Sequence, residues 1–231
     1  MSARFVSARP IDPVATVACT PWQVRTAHMT LSVLLDYPRA DFPQALEAAR
    51  ESLDTLPALV RADIEAYLDW AQQVGTRAVE EAYVDTFDQQ RRCTLYLSYY
   101  ATGDTRQRGV AILGFRDLMR AIGFEQDRDE LADYLPLVLE LSGRSGDPVV
   151  LELMAAHHEG IEVMRAALHG LDSPWAHLLD ALCRTLPPVD AETEARYQRL
   201  VTQGPPSEMV GTGTALPFPT SGPAGADGGL R

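Results

Sequence analysis

Residues 57–75, PALVRADIEAYLDWAQQVG, have the apolar spacing of an amphipathic helix. Apolar side chains recur at intervals of three and four residues, which places them on one face of a helix. Pro57 suits a helix start, and Gly75 suits the position just after a helix end. The apolar face comprises Leu59, Val60, Ile64, Tyr67, Leu68 and Ala71. This stretch therefore predicts a helix that buries one face in a core.

The same period recurs along most of the chain. Asp147-Pro148 and Ser173-Pro174 each place a capping residue before a proline, which is a favourable way to begin a helix. The first pair predicts one long helix whose apolar face runs through His157 to Leu168. Helical periodicity covers residues 22–37, 43–53, 57–75, 79–87, 106–122, 133–141, 148–168, 174–182 and 190–203.

Residues 93–99, CTLYLSY, alternate apolar and hydroxyl side chains as a strand would. A single strand has no partner in an otherwise helical chain, so we interpret this segment as helical too. Eight or nine helices joined mostly by short loops predict an all-α fold, a single helical-bundle domain.

Both ends of the chain lack a sustained period. Residues 204–231 hold seven Gly and five Pro and bury too little apolar surface to offset their ordering entropy. We expect a flexible N-terminal tail over 1–20, an all-helical domain over 21–203, and a Gly/Pro-rich disordered tail over 204–231.

All 20 basic residues are arginine, and the net charge is −12. The absence of lysine excludes a phosphate-binding loop of the G-x-x-x-x-G-K type and a lysine Schiff base. The negative charge disfavours nucleic acid and anionic lipid as partners and favours basic ones.

Cys19, Cys93 and Cys183 lie far apart, as is typical of reduced thiols and not of a disulfide framework or a zinc site. Prolines and an aspartate at 10–13 interrupt any export signal, and the charge-free run 209–226 is broken by Gly and Pro. We expect a soluble cytoplasmic protein.

His157, His158 and Glu162 are the residues that would carry a metal-dependent helical enzyme. The spacing H-E-x-x-H is absent, however, and His157 continues an apolar face, which favours a core histidine. The sequence also places no Ser or Cys beside a His as a nucleophile–base pair. We therefore predict no catalytic residue, metal or cofactor, and keep the enzyme as an alternative.

Residues 84–109, VDTFDQQRRCTLYLSYYATGDTRQRG, combine arginines with tyrosines. These two residue types are enriched where proteins bind proteins. The alternative is a helix with an aromatic core face and a solvated charged face. Acidic residues follow closely, at Glu125, Asp127, Asp129, Glu130 and Asp133.

Several strings resemble the nitrate reductase delta-subunit (NarJ-type) assembly chaperones. They are YVDTFD at 83–88, RRCTLYLSYY at 91–100, GDTR at 103–106 with RG at 108–109, LLDYP at 34–38 and ELADYLPLVLE at 130–140. The resemblance runs in order from about residue 30 to 203. In the wider group, a Glu-x-x-Asp-His motif is linked to leader binding; here Tyr134 replaces the His, and Ala132 stands where proline is common.

The resemblance implies an all-helical assembly chaperone and not an enzyme. Its partner would be the catalytic, molybdenum-containing subunit of respiratory nitrate reductase, bound through that subunit's N-terminal segment. The chaperone would hold the apoenzyme competent for molybdenum cofactor and iron–sulfur insertion until it docks on its membrane anchor. A helical regulatory module that binds another peptide is the remaining alternative.

We expect an amphipathic, basic client segment to lie in a groove between residues 83–100 and 130–140. The competing interpretation is that tyrosines such as Tyr96 and Tyr99 are ordinary core residues. The predicted peptide-binding residues are Phe87, Arg92, Tyr96, Tyr99, Tyr100, Arg106, Glu130, Asp133, Tyr134 and Leu137.

Overall fold

The computed structural model describes residues 11–126 and 129–187, and these residues form ten α-helices and no β-strand. The helices are α1 Pro21–Leu34, α2 Phe42–Ser52, α3 Ala58–Val74, α4 Thr76–Tyr83, α5 Leu97–Thr102, α6 Arg106–Ala121, α7 Leu135–Ser145, α8 Pro148–Ala156, α9 His158–Gly170 and α10 Trp175–Thr185. A π-helical turn, Val84–Asp88, continues α4. The all-α prediction is confirmed. Within the described ranges, no helix is long and apolar enough to cross a membrane.

The core lies where α10 meets α3 and α9, with α1 packed between α10 and α7. Trp175, the first residue of α10, is fully buried at its centre. Four aromatic rings surround Trp175 with centroids 5.2–5.8 Å away, in tilted or edge-on arrangements that suit aromatic pairs. They belong to Tyr67, Trp70, Tyr83 and Phe87. The helix predicted from residues 57–75 thus contributes its apolar face to this cluster.

The residues before α1 lie against the helical core. The Val17 N–H donates to the Arg184 carbonyl at 2.9 Å, and Arg184 donates back to the Ala15 carbonyl at 3.2 Å. Arg165 donates to the Asp12 carbonyl at 2.9 Å. Residues 11–20, which the sequence assigned to a flexible tail, therefore run along α9 and α10. The domain boundaries stay predictions, since the predicted helix 190–203 and the segment 204–231 lie outside the described residues.

The long helix predicted over 148–168 is wrong, because the chain breaks it at His157. The Nδ1 of His157 lies 2.8 Å from the Leu153 carbonyl, the oxygen to which the backbone N–H of His157 would donate in a continuous α-helix. That N–H bonds instead to the Met154 carbonyl at 3.0 Å. The side chain of His157 thus competes with the helical ladder, and α8 and α9 are separate helices.

His28 joins three helices at a fully buried position in α1. Its Nε2 lies 3.0 Å from the Thr185 hydroxyl of α10, and its Nδ1 lies 2.8 Å from the Ser142 hydroxyl of α7. Thr185 donates its own hydrogen to the Leu182 carbonyl, so it accepts from the Nε2–H and leaves Nδ1 as the acceptor for Ser142. The ring is therefore neutral, and burial lowers its pKa to about 4.

This buried histidine predicts acid sensitivity. Between pH 6.5 and about 4, the unfolded chain protonates His28 while the folded protein does not. The free energy of unfolding therefore falls as pH falls through this window, by up to about 1.4 kcal/mol per pH unit from this group. Urea unfolding across the window should show a shallower dependence for His28→Gln. The exposed His177→Gln serves as the control and should keep the parent's slope; equal slopes for both variants would contradict the assignment.

Candidate functional site

Two extended pieces of chain meet at the centre of the predicted site. The Leu97 N–H donates to the Asp133 carbonyl at 2.9 Å, and the Leu135 N–H donates to the Leu95 carbonyl at 2.7 Å. These bonds form an isolated antiparallel bridge between Tyr96 and Tyr134. The interpretation of 93–99 as entirely helical is therefore wrong: helix α5 begins only at Leu97, and the residues before it pair with 133–135 as a strand would.

Asp133 fixes the start of α5 from across this bridge. Its Oδ2 accepts from the Ser98 backbone N–H at 3.2 Å and from the Ser98 hydroxyl at 2.5 Å. Such bonds satisfy donors that the first turn of a helix leaves without an intrahelical partner. Asp133 is fully buried. The aspartate of the 130–134 motif thus acts inside the fold and is not exposed to a client.

Tyr134 connects the same bridge to two other segments. Its hydroxyl lies 2.8 Å from the Tyr83 hydroxyl and 3.2 Å from Asp36 Oδ1, and Tyr83 also bonds to the Leu35 carbonyl at 3.2 Å. Burial raises the pKa of Tyr83 and Tyr134, so both phenols keep their protons. Three of the strings that carry the family resemblance, 34–38, 83–88 and 130–140, therefore meet in one hydrogen-bonded cluster.

The ten predicted peptide-binding residues divide into two groups of five. Five are buried in the fold: Phe87, Tyr100, Asp133, Tyr134 and Leu137. For Tyr100 the structure favours the core alternative, because its hydroxyl bonds to the Arg92 and Thr94 carbonyls at 2.9 and 2.8 Å. The other five reach the surface and are called the tyrosine surface below: Arg92, Tyr96, Tyr99, Arg106 and Glu130.

The tyrosine surface is held in shape by Tyr96. Its hydroxyl donates to Glu130 Oε1 at 3.0 Å, and its ring packs on Tyr134 with centroids 5.4 Å apart. Partial burial and the bond to Glu130 raise the pKa of Tyr96 to about 12. The guanidinium of Arg108 lies 5.3 Å from the ring centroid, which is cation–π distance. Arg108 belongs to the RG string at 108–109 but was not among the ten predicted peptide-binding residues.

The residues of the alternative metal site separate in the structure. His157 bonds to its own helix, whereas His158 and Glu162 lie beside Cys183, with one donor atom from each within 4.8 Å of the others. Glu162 already accepts from Arg165 at 2.8 Å, and burial raises the pKa of the Cys183 thiol well above its ordinary value. These donors could hold a metal ion, but in this structure they belong to a buried ion-pair network.

Arg165 is the centre of that network, and sequence reasoning missed it. It is 1% exposed and donates to Asp180 at 2.8 Å as well as to Glu162, while His169 bonds to the other side of Asp180 at 3.0 Å. Although burial opposes it, the hydrogen bonds from His169 and Arg165 lower the pKa of Asp180. The network joins α9 to α10. In the sequence, this network appears only as charged residues on helices that are otherwise apolar. Charged residues at a protein surface look the same, so the network could not be predicted.

A separate groove of about 670 Å³ lies between α1 and α2, away from the tyrosine surface. Its lining is mostly apolar, and Trp22 at its edge is 56% exposed. Apolar grooves of this size can take the apolar face of a helix. Helical periodicity did not predict this groove, because most of its lining residues lie on the sides of α1 and α2 that face away from the centre of the core.

The fold and site define a class: an all-helical protein without an assembled catalytic centre among its described residues, whose most unusual surface carries tyrosine and arginine. Residues 50–181 match the family described as nitrate reductase delta subunit, and this chain belongs to that family.

Three named relatives illustrate the match. The chain is 32% identical over 154 residues to the nitrate reductase-like protein NarX of Mycobacterium tuberculosis, and it spans 23% of that protein's length. It is 28% identical over 160 residues, 68% of this chain and 85% of the relative, to the probable nitrate reductase molybdenum cofactor assembly chaperone NarJ of Bacillus subtilis. It is 26% identical over 157 residues, 67% and 66% of the two chains, to the chaperone NarJ of Escherichia coli K12.

The cluster around Tyr134 predicts a cost for losing one hydroxyl. Tyr134→Phe leaves the ring in place but removes the bonds to Tyr83 and Asp36, so we expect the free energy of unfolding to fall by about 1–3 kcal/mol. Tyr37→Phe is the control, because Tyr37 lies in the neighbouring string 34–38 and is 43% exposed. This variant should change the free energy of unfolding little. Chemical denaturation of both variants measures the difference. Equal stability of Tyr134→Phe and the parent would contradict the described network.

Proposed function

We propose that this protein is an assembly chaperone for a molybdenum-containing respiratory nitrate reductase. It binds the N-terminal segment of the catalytic subunit in the cytoplasm and holds that subunit open for molybdenum cofactor and iron–sulfur insertion before membrane docking. The observation that carries the proposal is the family match over residues 50–181. This range includes the Tyr96–Tyr134 bridge, most of the hydrogen-bonded cluster around Tyr134, and the tyrosine surface. The names of the Bacillus and Escherichia relatives support the same role.

The tyrosine surface supports client binding without catalysis. Tyr96 and Tyr99 present aromatic area at low entropic cost, and the guanidinium of Arg108 lies 5.3 Å from the Tyr96 ring. Asp133 is internal and Glu130 is bonded to Tyr96, but Glu125 and Asp129 are described members of the acidic cluster whose carboxylates are exposed to a basic client segment. The net charge of −12 adds long-range attraction for such a segment.

The enzyme alternative has weaker support. Ser142 and His28 are hydrogen-bonded, but both are buried between α1 and α7 where no substrate reaches them. The donors His158, Glu162 and Cys183 favour a metal only if the Arg165 network rearranges. Elemental analysis after gentle purification tests this: a stoichiometric metal retained by the parent and lost in Cys183→Ser would favour the enzyme alternative.

The partner is tested directly by affinity purification from cells that respire nitrate. The chaperone proposal expects the large molybdenum subunit to co-purify, and expects it no longer to do so when its N-terminal segment is deleted. A reproducible different partner, with the large subunit absent, would support a regulatory module instead.

The tyrosine surface predicts separable effects on binding and folding. Tyr99→Ala and Arg92→Ala should weaken binding of a synthetic client N-terminal peptide about 5- to 30-fold, because each removes an accessible contact. Both variants should keep the parent's melting temperature within a few degrees. Tyr100→Ala, at the neighbouring buried tyrosine, should instead cost about 3–5 kcal/mol of stability. Calorimetric titration and thermal melts of the three variants measure both quantities.

Val33→Ser is the matched control in the α1–α2 groove, where Val33 is 41% exposed. It should leave peptide affinity unchanged. If Val33→Ser abolished binding while Tyr99→Ala and Arg92→Ala bound like the parent, the client site would lie in that groove and not on the tyrosine surface.

A further inference from the structure

Helix α6 exposes two apolar side chains one turn apart. Val110 is 72% exposed and Leu113 is 52% exposed, whereas the opposite side of the helix buries Phe115 and Met119. Exposed apolar residues are ordinary when single, but neighbours on one helix face form a patch that gains from being covered. The outward face of α6, defined by Val110, Leu113, Arg116 and Arg120, is called the α6 face below.

The α6 face is positively charged in an acidic protein. It carries Arg116 and Arg120 with one acid between them, Asp117, a formal charge of +1 in a chain whose net charge is −12. Asp117 pairs with Arg120 at 3.3 Å, but both side chains are about two-thirds exposed, so water screens this pair strongly. Arg116 and Arg120, which follow the apolar pair along the helix, are therefore exposed to a carboxylate-bearing partner.

Two glycines keep the backbone of α6 approachable beside the apolar pair. A Cβ added at Gly109 or Gly114 would meet nothing within 4 Å in this structure. Glycine inside a helix is destabilising relative to alanine, and in the described fold no close neighbour accounts for its use here. A partner that approaches the helix backbone closely would account for it.

We propose that the α6 face is a docking surface for an acidic, amphipathic segment of a partner protein. Carboxylates of that segment would pair with Arg116 and Arg120, and its apolar side chains would cover Val110 and Leu113. The helix rise of about 1.5 Å per residue sets the partner's contact length at about 15 Å from Val110 to Arg120. The α6 face would bind an acidic segment, whereas the client site of the proposed function would bind a basic one. An experiment can therefore disprove one proposal and leave the other standing.

The test uses a synthetic 18-residue helical peptide with leucines in its two central turns and glutamates in its first and last turns. The control peptide has the same sequence with arginine in place of every glutamate. Fluorescence anisotropy with the full chain should show micromolar binding of the acidic peptide that weakens at least tenfold at high salt. The double variant Arg116→Glu/Arg120→Glu and the variant Leu113→Ser should each weaken it at least tenfold.

The control Arg39→Glu/Arg77→Glu changes net charge by the same amount at exposed arginines elsewhere and should bind like the parent. Gly109→Ala should raise the melting temperature yet weaken peptide binding, which a purely structural role for the helix would not produce. Equal binding of the two peptides, or equal losses in the control, would overturn the proposal. Concentration-dependent self-association that Leu113→Ser abolishes would also overturn it, because a second copy would then be the occupant.

Discussion

Two backbone hydrogen bonds, between residues 95–97 and 133–135, hold together the two segments that form the candidate site. They bring the start of α5 against the start of α7, although these segments are nearly 40 residues apart in the chain. Three residues of the tyrosine surface are tied to this pairing: Tyr96 lies in the bridge, Glu130 accepts its hydroxyl, and Tyr99 is carried by the helix whose first turn bonds to Asp133. The bridge therefore turns two loops into one rigid edge of a helical domain.

The residues of the family-like motif at 130–134 mostly form hydrogen bonds within the fold. Asp133 and Tyr134 of the 130–134 motif bond to Ser98, Tyr83 and Asp36, and none of these bonds involves a client. A binding protein for a peptide needs such internal support, because aromatic side chains that are held in place lose less entropy on binding. Under the proposed function, client recognition would then fall to neighbours that reach the surface, among them Tyr99 and Arg92.

The helices were predictable from sequence because their apolar period is a local property, and proline and glycine mark many of their ends. The exceptions have physical causes that periodicity does not record. The side chain of His157 interrupts a helix because it hydrogen-bonds to the Leu153 carbonyl of the preceding turn. Residues 94–96 are extended because they pair with a segment about 40 residues further along the chain. Residues 11–20 lack a period yet pack through backbone bonds to Arg165 and Arg184.

The candidate site was only partly predictable for a related reason. Residues 83–100 and 130–140 do meet, as the sequence predicted, but the sequence could not tell which tyrosines face inward. Tyr99 and Tyr100 are adjacent in sequence, yet one reaches the surface and the other bonds to two buried carbonyls. That difference is set by the long-range pairing and not by any spacing. The same holds for Arg165, whose partners come from a second helix and from Asp12.

The most direct test of the central claim is native-state hydrogen exchange at the Leu97 and Leu135 amides. If the bridge is an integral part of the fold, both amides should exchange only through global unfolding, with the same opening free energy as the Leu182 amide in α10. The two amides should also respond together when Asp133 is changed to Asn. Exchange of Leu97 and Leu135 through a local opening several kcal/mol below global unfolding would contradict the account, because the edge would then be a mobile loop and not a preformed surface.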